Sequence, residues 1–587
     1  MVLGHAKTPA IVKARGIGAA ENPTFEFICV EHILEETKMV NVAEYIIDRL
    51  SKLGITDCFG VPGDFAFPLN GAVVSHPKMR WVGCSNELNA SYAADGYARI
   101  KGASLLCTTY AVGELSAING VMGAMAEHVP VFHLVGMPTM RHQLNHKVIH
   151  HTLGDGVFQN FAPLSAAAAC VSAVLTPDNV VYEMERVIAI AKAKSRPAYL
   201  LVAEDMALAQ VHETPSLNYP TPKSDPIELG KVMGRLKAIL NSSQSVVIMP
   251  SYKIARFRLE KELQSVIEKS GRPFVTMGMD KAVLSEEHPQ FAGMYVGNHS
   301  DPVVRDLVQG SDWVLNLGGS FFNDSNTLAY DFTLDEQKVI TVDIDFVRVR
   351  QDIFNPVQLK DVLNGLSGAM YTSSQPYSSP VRSKIRKVGE PEAPISVESL
   401  YSRYASFLCE GDIVIVETGS QSSIAMLPFP KKTTYYNQSQ WGSIGYATGC
   451  AFGTALAAPE RRTVLFTGEG SHQLTANELG NMGRYGAKPV IFVLNNSGYM
   501  IERALEISPD HKYNDLAQWN YTALPAAFGC KDWFTARAAT NSELDKAMEM
   551  AQHHKGACYI EVIAGRTDFP LGLKVMNSRL MQMYGFS

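Results

Sequence analysis

The chain has 587 residues, well beyond the roughly 250–300 at which a single hydrophobic core stops growing, so several domains are expected. Hydrophobic residues make up 46% and charged residues 19%, a balance that excludes a disordered, collagen-like or coiled-coil chain. The formal net charge of −6 gives no general electrostatic reason to expect a nucleic acid or an anionic membrane as a partner.

The cysteines and the lengths of the apolar runs indicate the cellular compartment in which the protein is expected. The nine cysteines are odd in number and scattered, with no C-x-x-C pair, which disfavours a disulfide framework and a zinc site. No stretch approaches the about 20 apolar residues that span a bilayer, and residues 1–38 lack the apolar core of a secretory signal. We therefore expect a cytoplasmic protein without a membrane span, with a weak organellar presequence as the alternative.

Regular structure is predicted to begin after an N-terminal extension of residues 1–38. An apolar periodic run from Val42 to Leu53 predicts an amphipathic helix. Short apolar strands then alternate with further helices, a pattern typical of a parallel α/β sheet. We assign residues 39–212 to this first, α/β domain. Its clearest predicted strands are 105–109, 131–135 and 198–202.

Two further α/β units follow the first. A Pro-, Ser- and Thr-rich stretch at 213–225 predicts one linker, and a Ser- and Pro-rich stretch at 372–394 predicts another. We assign 226–371 to a middle domain and 395–587 to a third domain with a C-terminal segment. The predicted fold class is therefore α/β, with three doubly wound parallel-sheet domains. The predicted strands of the two units are 245–249, 313–317, 339–342, 413–416, 463–466, 490–494 and 558–562.

The clearest motif of the third domain is a strand that runs into a Gly-Glu-Gly-Ser turn at 468–471. A helix is predicted behind it, from about 473 to 482, so the turn lies where free backbone N–H groups suit a phosphate. Glu469 would repel a bare phosphate, but a divalent cation between the two removes the conflict. The next strand ends in Asn-Asn-Ser-Gly at 495–498, whose amide and carbonyl oxygens suit octahedral Mg²⁺. Alone, the Gly-Glu-Gly-Ser turn is structural about half the time and Asn-Asn-Ser-Gly is more often an ordinary turn, whereas the pair is specific.

Together these two motifs resemble the binding motif for thiamin diphosphate (ThDP). The resemblance extends from about residue 40 to the C-terminus, and it is to the ThDP-dependent 2-oxo-acid decarboxylases, the family of the pyruvate, indolepyruvate and phenylpyruvate decarboxylases. It implies ThDP and Mg²⁺ as cofactors, and a pyrimidine-binding, a middle and a diphosphate-binding domain in that order. The other matching segments are 60–64, 86–90, 93–99, 113–116, 150–152, 417–419, 441–445 and 498–502.

The resemblance implies non-oxidative decarboxylation of a 2-oxo acid to an aldehyde and CO₂, through a ylid at C2 of ThDP and an enamine intermediate. Glu87 is implied to bind the pyrimidine ring and promote its imino tautomer. Asp64, His150 and His151 match the family's acid–base groups. Glu502 matches a carboxyl near the leaving carboxylate of the substrate. Outside these motifs, an isolated glutamate is more often a solvated or capping residue, and a His-His pair more often part of a polar loop.

Further positions are implied to contact the cofactor or its metal. Ile444 matches the apolar wedge that bends the cofactor, and the Gly442 carbonyl matches the acceptor for its 4′-amino group. The implied metal ligands are Glu469, Asn496 and Gly498. The implied cofactor-binding residues are Glu87, Thr418, Ser420, Gly442, Ile444, Gly470, Ser471, Asn496 and Ile501.

The chain departs from the family's pattern at the metal and at the substrate pocket. Glu469 stands where the family usually has Asp, and its additional methylene moves the carboxylate by roughly 1.5 Å, so an adjusted loop or water shell is expected. Ser420 begins a Ser-Gln-Ser-Ser stretch where the family often has Thr-Ser, and Met500 stands where pyruvate decarboxylases usually have Thr. Pyruvate is therefore the default substrate, and aryl, indolyl or branched 2-oxo acids are alternatives.

Two other functions stay open at this point. One is a carboligase that forms an acyloin or an acetohydroxy acid, and the other is an inactive regulatory or scaffold homologue. The His-His pair favours the decarboxylase, because the carboligating relatives generally lack it. Since Glu87 and the diphosphate motif belong to domains that meet across a subunit interface in the family, a homodimer at least is implied, commonly a homotetramer. The expected partner is a small 2-oxo acid, with no nucleic acid and no membrane.

Overall fold

The structure, a computed structural model, describes residues 38–213, 219–369, 377–379, 385–506, 508–570, 572–573 and 575–578. Within these ranges the chain forms three large sheets packed against helices. The predicted α/β class with three parallel-sheet domains is confirmed. Most of the N-terminal extension, and parts of the 372–394 linker and of the C-terminal segment, lie outside the described residues. The domain boundaries stay predictions.

The first domain is a six-stranded parallel sheet. The first and last strands of the domain form a separate two-stranded antiparallel ribbon. Its elements are β1 (Met39–Asn41), α1 (Val42–Ser51), β2 (Asp57–Gly60), α2 (Phe67–Ser75), β3 (Arg80–Gly83), α3 (Glu87–Lys101), β4 (Ser104–Thr109), α4 (Val112–Ala126), β5 (Val131–Met137), α5 (Met140–Leu144), α6 (Ala162–Ala167), β6 (Val171–Leu175), α7 (Val180–Lys194), β7 (Ala198–Ala203), α8 (Glu204–Ala207) and β8 (Gln210–His212). In the ribbon, β1 pairs antiparallel with β8, with Val40 opposite Val211. The helix predicted near Val42 is α1, which begins there because Asn41 and Glu44 form a reciprocal capping box.

The middle domain is a seven-stranded sheet in which five parallel strands are extended by an antiparallel hairpin. Its elements are α9 (Pro226–Ser242), β9 (Val246–Pro250), α10 (Lys253–Arg256), α11 (Glu260–Ser270), β10 (Phe274–Thr276), β11 (Phe291–Met294), α12 (Pro302–Gln309), β12 (Trp313–Leu317), β13 (Val339–Val342), β14 (Val347–Val349), β15 (Asp352–Phe354) and α13 (Leu359–Ala369). The strand order is β11-β10-β9-β12-β13-β14-β15, and the antiparallel hairpin β14–β15 covers one edge of the parallel part.

The third domain is again a six-stranded parallel sheet. Its elements are α14 (Val397–Phe407), β16 (Ile413–Val416), β17 (Thr434–Tyr436), α15 (Tyr446–Ala457), β18 (Thr463–Gly468), α16 (Glu469–Thr475), α17 (Leu479–Arg484), β19 (Val490–Asn495), α18 (Met500–Leu505), α19 (Leu524–Ala527), β20 (Phe534–Ala538), α20 (Asn541–His553) and β21 (Cys558–Ile563). Its order, β17-β16-β18-β19-β21-β20, repeats that of the first domain, β3-β2-β4-β5-β7-β6. The first and third domains therefore share one topology.

Helices α3 and α15 join the first and third domains through a common hydrophobic core. A Cβ atom added to Gly453 of α15 would lie 1.8 Å from the backbone oxygen of Ala93 in α3, so the two helix backbones are nearly in contact. The buried Arg99 and Tyr446 both donate hydrogen bonds to the Asp95 carboxylate, at 2.6 and 2.5 Å. Asp95 and Arg99 both lie in α3, so the Tyr446 hydroxyl links this buried ion pair to α15 of the third domain.

One predicted element differs clearly from the structure. The helix expected from about 473 to 482 begins already at Glu469, in the Gly-Glu-Gly-Ser turn, and changes to a 3₁₀ turn at Ala476–Glu478 before α17 continues it. The turn is helical because Gly468 is extended and serves as the N-cap, so the three residues after it enter the first helical turn. Among the described helices, none is both long and apolar enough to cross a membrane.

Candidate active site

Three parallel strands of the third sheet end side by side, and the turns after them carry predicted cofactor residues. Strand β18 pairs with β16 on one side and β19 on the other. Because β17 lies on the opposite side of β16, the chain changes direction here, and α/β proteins bind ligands at such a switch point. The predicted residues at this edge are Thr418 and Ser420 after β16, Gly470 and Ser471 in α16, and Asn496 after β19.

The Glu469 carboxylate reaches from the start of α16 to the turn after β19. Its Oε1 accepts hydrogen bonds from the backbone N–H groups of Asn496 and Gly498, at 3.0 and 2.8 Å. Burial raises the pKa of Glu469 to about 7. Asn496 is buried as well, and its Oδ1 has no hydrogen-bond partner among the described residues. The structure thus brings the three predicted metal residues together.

The predicted wedge and its neighbours surround the same edge. Gly442 has a φ of +73°, which favours glycine, and its N–H donates to the Gln438 carbonyl at 2.8 Å. Ile444 is half-buried just before α15. Ile501, in the first turn of α18, lies beside Gly419, where an added Cβ atom would be 3.4 Å from Ile501 Cγ2. Their contacts with a cofactor stay predictions.

Asp64, His150 and His151 form one cluster in the first domain. Asp64 begins a 3₁₀ turn shortly after β2, and its Oδ2 lies 2.7 Å from His150 Nε2. His151 Nε2 lies 4.0 Å from the other carboxylate oxygen. The His150 ring stacks on Phe65 with their centroids 4.8 Å apart. All three polar side chains are partly exposed, so the cluster can exchange protons with a small molecule.

Glu87 is the first residue of α3. The residues on either side of it form hydrogen bonds with the third domain. A Cβ atom added to Gly113 would lie 3.3 Å from Glu87 Oε1. The buried Glu478 accepts hydrogen bonds from the Ser85 N–H at 3.1 Å and the Asn89 amide at 2.8 Å. No hydrogen bond to the Glu87 carboxylate is found within the described ranges, so this group is available to a ligand.

Two predicted residues form no hydrogen bond to the other predicted groups within the described residues. Glu502 is exposed on α18 and forms no side-chain hydrogen bond with Asp64 or the His-His pair in the described chain. Glu87 likewise has no hydrogen bond to Glu469 or Asn496 in that part of the molecule. That Glu87 and the diphosphate site meet across a subunit interface stays a prediction.

Two buried carboxylates within the matching motifs have no role in the sequence prediction. Glu417 accepts a hydrogen bond from the Thr418 N–H at 3.0 Å, and burial raises its pKa to about 7. Glu114 accepts hydrogen bonds from the Ser165 and Tyr199 hydroxyls, at 2.7 and 2.6 Å. A charged residue next to an apolar strand or within an apolar helix is the signal that could have found both, because a buried carboxylate needs partners.

The oxygen atoms of the turns after β18 and β19 are suitable ligands for a divalent cation. Carboxylate, amide and carbonyl oxygens are the ligands that Mg²⁺ prefers. A buried amide oxygen without a hydrogen bond, as at Asn496, is costly unless another group satisfies it. A cation beside the buried Glu469 would favour its ionised form. Glu469, Asn496 and Gly498 would hold the metal, and the neighbouring turns would hold a diphosphate.

Comparison with known protein families agrees with this geometry. The models of the N-terminal, central and C-terminal domains of thiamine pyrophosphate enzymes match residues 40–160, 233–361 and 418–562. Together they cover more than half of the chain. The chain therefore belongs to the thiamine pyrophosphate (ThDP) enzyme family, and the predicted family and its cofactor are confirmed.

Within this family, two of the similar proteins are named as decarboxylases. The chain is 36% identical over 549 residues to the pyruvate decarboxylase of Candida glabrata, covering 91% of this chain and 97% of that protein. It is 36% identical over 538 residues to an alpha-keto-acid decarboxylase of Mycobacterium avium, covering 90% and 94%. A solved ThDP-dependent enzyme from Mycobacterium smegmatis has the same fold, with a TM-score of 0.73 and 18% identity over 90% of this chain and all of that one.

Proposed function

We propose that this enzyme removes CO₂ non-oxidatively from a 2-oxo acid and releases the corresponding aldehyde. The observation that carries the proposal is the contact of Asp64 with the two histidines. Decarboxylation to an aldehyde needs a proton where the carboxylate was, and it needs a base as the product leaves. A carboxyl and two imidazoles within reach of one another can serve both steps.

Thiamin diphosphate, when bound, supplies the nucleophilic carbon that adds to the 2-oxo carbonyl and accepts the electron pair left by CO₂. Glu469, Asn496 and Gly498 would hold the metal, with Mg²⁺ the usual partner in this family. Glu87 would hydrogen-bond to the pyrimidine through the carboxylate that is free within the described chain. Gly442 and Ile444 would fix the cofactor's shape.

The chain's own acid–base groups then move protons. The proton shared between Asp64 Oδ2 and His150 Nε2, 2.7 Å apart, is the one we propose to be delivered to the substrate carbon. The stacking of Phe65 on His150 limits rotation of that imidazole. His151, 4.0 Å from Asp64, would return the proton to the cluster. Glu502 would lie near the substrate carboxylate.

The substrate is proposed to be pyruvate or a larger aryl, indolyl or branched 2-oxo acid. Met500 is buried, with 3% of its surface exposed, next to Ile501. Its apolar side chain, where pyruvate decarboxylases usually have Thr, is the departure for which larger 2-oxo acids are retained as candidate substrates. A carboligase is not favoured, since the similar proteins reported above are decarboxylases.

A panel of 2-oxo acids with identification of the products tests this function. The purified protein is supplied with ThDP and Mg²⁺, and CO₂ and carbonyl products are measured for aliphatic and aromatic acids. Aldehyde formed with CO₂ is the expected outcome. Acyloin or acetohydroxy acid as the main product would support the carboligase, and the absence of CO₂ from every acid would contradict both.

The assembly and the compartment are also proposals. As the resemblance to the family implies, a homodimer that supplies Glu87 across the interface to the diphosphate site of the other subunit, and a homotetramer of two such dimers, would complete the site. Described cysteines form no disulfide, which suits a reducing compartment such as the cytoplasm. Sedimentation with and without ThDP tests the assembly.

A further inference from the structure

A fully buried arginine lies directly behind the turn after β19. Arg503 is 1% exposed and comes from α18. Its Nη1 donates to the Asn496 carbonyl at 3.2 Å, and its Nη2 donates to the Ser497 carbonyl at 2.6 Å. Nη2 also donates to the Asp515 carboxylate at 2.9 Å. One guanidinium therefore links two consecutive carbonyls of the turn to an acidic residue behind it.

The turn at 496–498 thus forms hydrogen bonds with an acidic and a basic side chain. Glu469 accepts its N–H groups at Asn496 and Gly498, and Arg503 binds its carbonyls at Asn496 and Ser497. No hydrogen bond to the Gly498 carbonyl is found in the described chain. Of these three consecutive carbonyls, that of Gly498 is accordingly the one available to a cation.

Close packing keeps this arrangement in place. A Cβ atom added to Gly498 would lie 2.0 Å from Arg503 Nη2 and 2.3 Å from the Asn514 backbone oxygen, so only glycine fits against the guanidinium. Asp515 is held in turn by Arg566, whose Nη2 lies 2.8 Å from the same carboxylate oxygen. The position of the guanidinium is therefore fixed on the side away from the turn as well.

We propose that Arg503 is a positioning residue for the metal. It engages the Asn496 and Ser497 carbonyls, so that the Gly498 carbonyl and the Asn496 amide oxygen face the cation. The inference rests on the proposed metal site and adds to it a residue that touches neither metal nor substrate. Outer-shell partners of this kind typically change metal affinity by about 10- to 100-fold.

Mn²⁺ titration in the presence of saturating ThDP tests this, with free Mn²⁺ measured by electron paramagnetic resonance. The variants are Arg503→Gln, Arg503→Lys and Asp515→Asn. Arg503→Gln is expected to raise the Mn²⁺ dissociation constant about 10- to 100-fold. Arg503→Lys, with one donor centre instead of a fork, should give a smaller rise. Asp515→Asn, at the exposed end, should weaken binding with the fold intact.

Arg461→Gln is the matched control. Arg461 also binds consecutive carbonyls, those of Gly411 and Asp412 at 2.9 and 3.3 Å, at the opposite end of the sheet from the metal turn. It should lower the thermal midpoint without changing Mn²⁺ affinity. If Arg503→Gln does not fold, the Lys and Asp515 variants decide.

Mn²⁺ affinity within two-fold of wild type in the folded variants would overturn the proposal, as would a wild-type protein that binds no Mn²⁺ with ThDP. CO₂ release is measured separately. Loss of Mn²⁺ affinity in the variants of a protein that releases no CO₂ would support the role of Arg503 while contradicting the proposed function.

Discussion

His150 Nε2 lies 2.7 Å from a carboxylate oxygen of Asp64, although 86 residues separate the two along the chain. Asp64 is fixed by the 3₁₀ turn behind β2, and His150 by stacking on Phe65. The two groups form a hydrogen bond in a partly exposed cluster, which we propose as the acid–base pair of the reaction.

Replacing Asp64 by Asn tests this pair. The amide keeps the shape of the carboxylate but neither takes up nor releases the proton, so kcat is expected to fall about 100- to 10,000-fold. Steady-state CO₂ release measures it. Asp178→Asn, at an exposed position outside the cluster, is the control. Equal activity of Asp64→Asn and wild type would remove Asp64 from the acid–base role.

The substitution Glu469→Gln removes the negative charge of the proposed metal site while keeping its hydrogen bonds. The Gln oxygen still accepts the N–H groups of Asn496 and Gly498, so the turn should keep its conformation. The lost negative charge should weaken Mg²⁺ binding by at least about 10-fold, since even outer-shell changes have that effect. Mg²⁺ titration of ThDP binding, followed by tryptophan fluorescence, measures it. An unchanged Mg²⁺ requirement would show that Glu469 is not a ligand.

Much of this site can be predicted from the sequence because it depends on local order. Apolar strands followed by polar turns locate the residues at 468–471 and 495–498, and parallel pairing of β18 and β19 necessarily brings the two turns to one edge. Apolar periodicity likewise predicts an amphipathic helix from about Val42, where α1 is found.

Other parts of the site depend on long-range contacts that no local pattern records. The Asp64–His150 contact needs the path of the loop after α5. The role of Arg503 depends on its three-dimensional position, since a basic residue after Glu502 is typical of any helix. The sequence places the start of α16 about four residues too late, because two glycines normally favour a turn, whereas here Gly468 is the N-cap and Gly470 lies within the first helical turn.

The contact of α3 and α15 predicts a contrast between two glycines. Gly453→Ala would place a methyl 1.8 Å from the Ala93 backbone oxygen, so the helices must separate, at about 1–3 kcal/mol of stability or more. Gly230→Ala, on the exposed side of α9 with no atom within 4 Å of the new methyl, should stabilise by about 0.5–1 kcal/mol. Thermal midpoints compare them. A Gly453→Ala protein as stable as wild type would contradict the packing described here.

Buried His133 predicts a sensitivity to acid. Burial lowers its pKa from 6.5 to about 3, so below the unfolded value the unfolded chain binds a proton that the folded chain does not. The free energy of unfolding therefore has its full value above pH 6.5 and declines as the pH falls from there toward 3. At about pH 5 the loss is about 2 kcal/mol. His133→Gln should make the thermal midpoint depend less on pH in this range. The substitution of an exposed histidine, His553→Gln, should leave that dependence unchanged. Parallel curves for His133→Gln and wild type would refute it.

The central claim is tested most directly by the release of CO₂ and aldehyde from pyruvate and larger 2-oxo acids, measured for wild type and Glu87→Gln with ThDP and Mg²⁺. We expect wild type to release one aldehyde per CO₂ from at least one acid. The folded variant should turn over at least about 100-fold more slowly, because Gln does not exchange a proton with the pyrimidine. No CO₂ from any acid with wild type, or equal rates for the two proteins, would contradict the account.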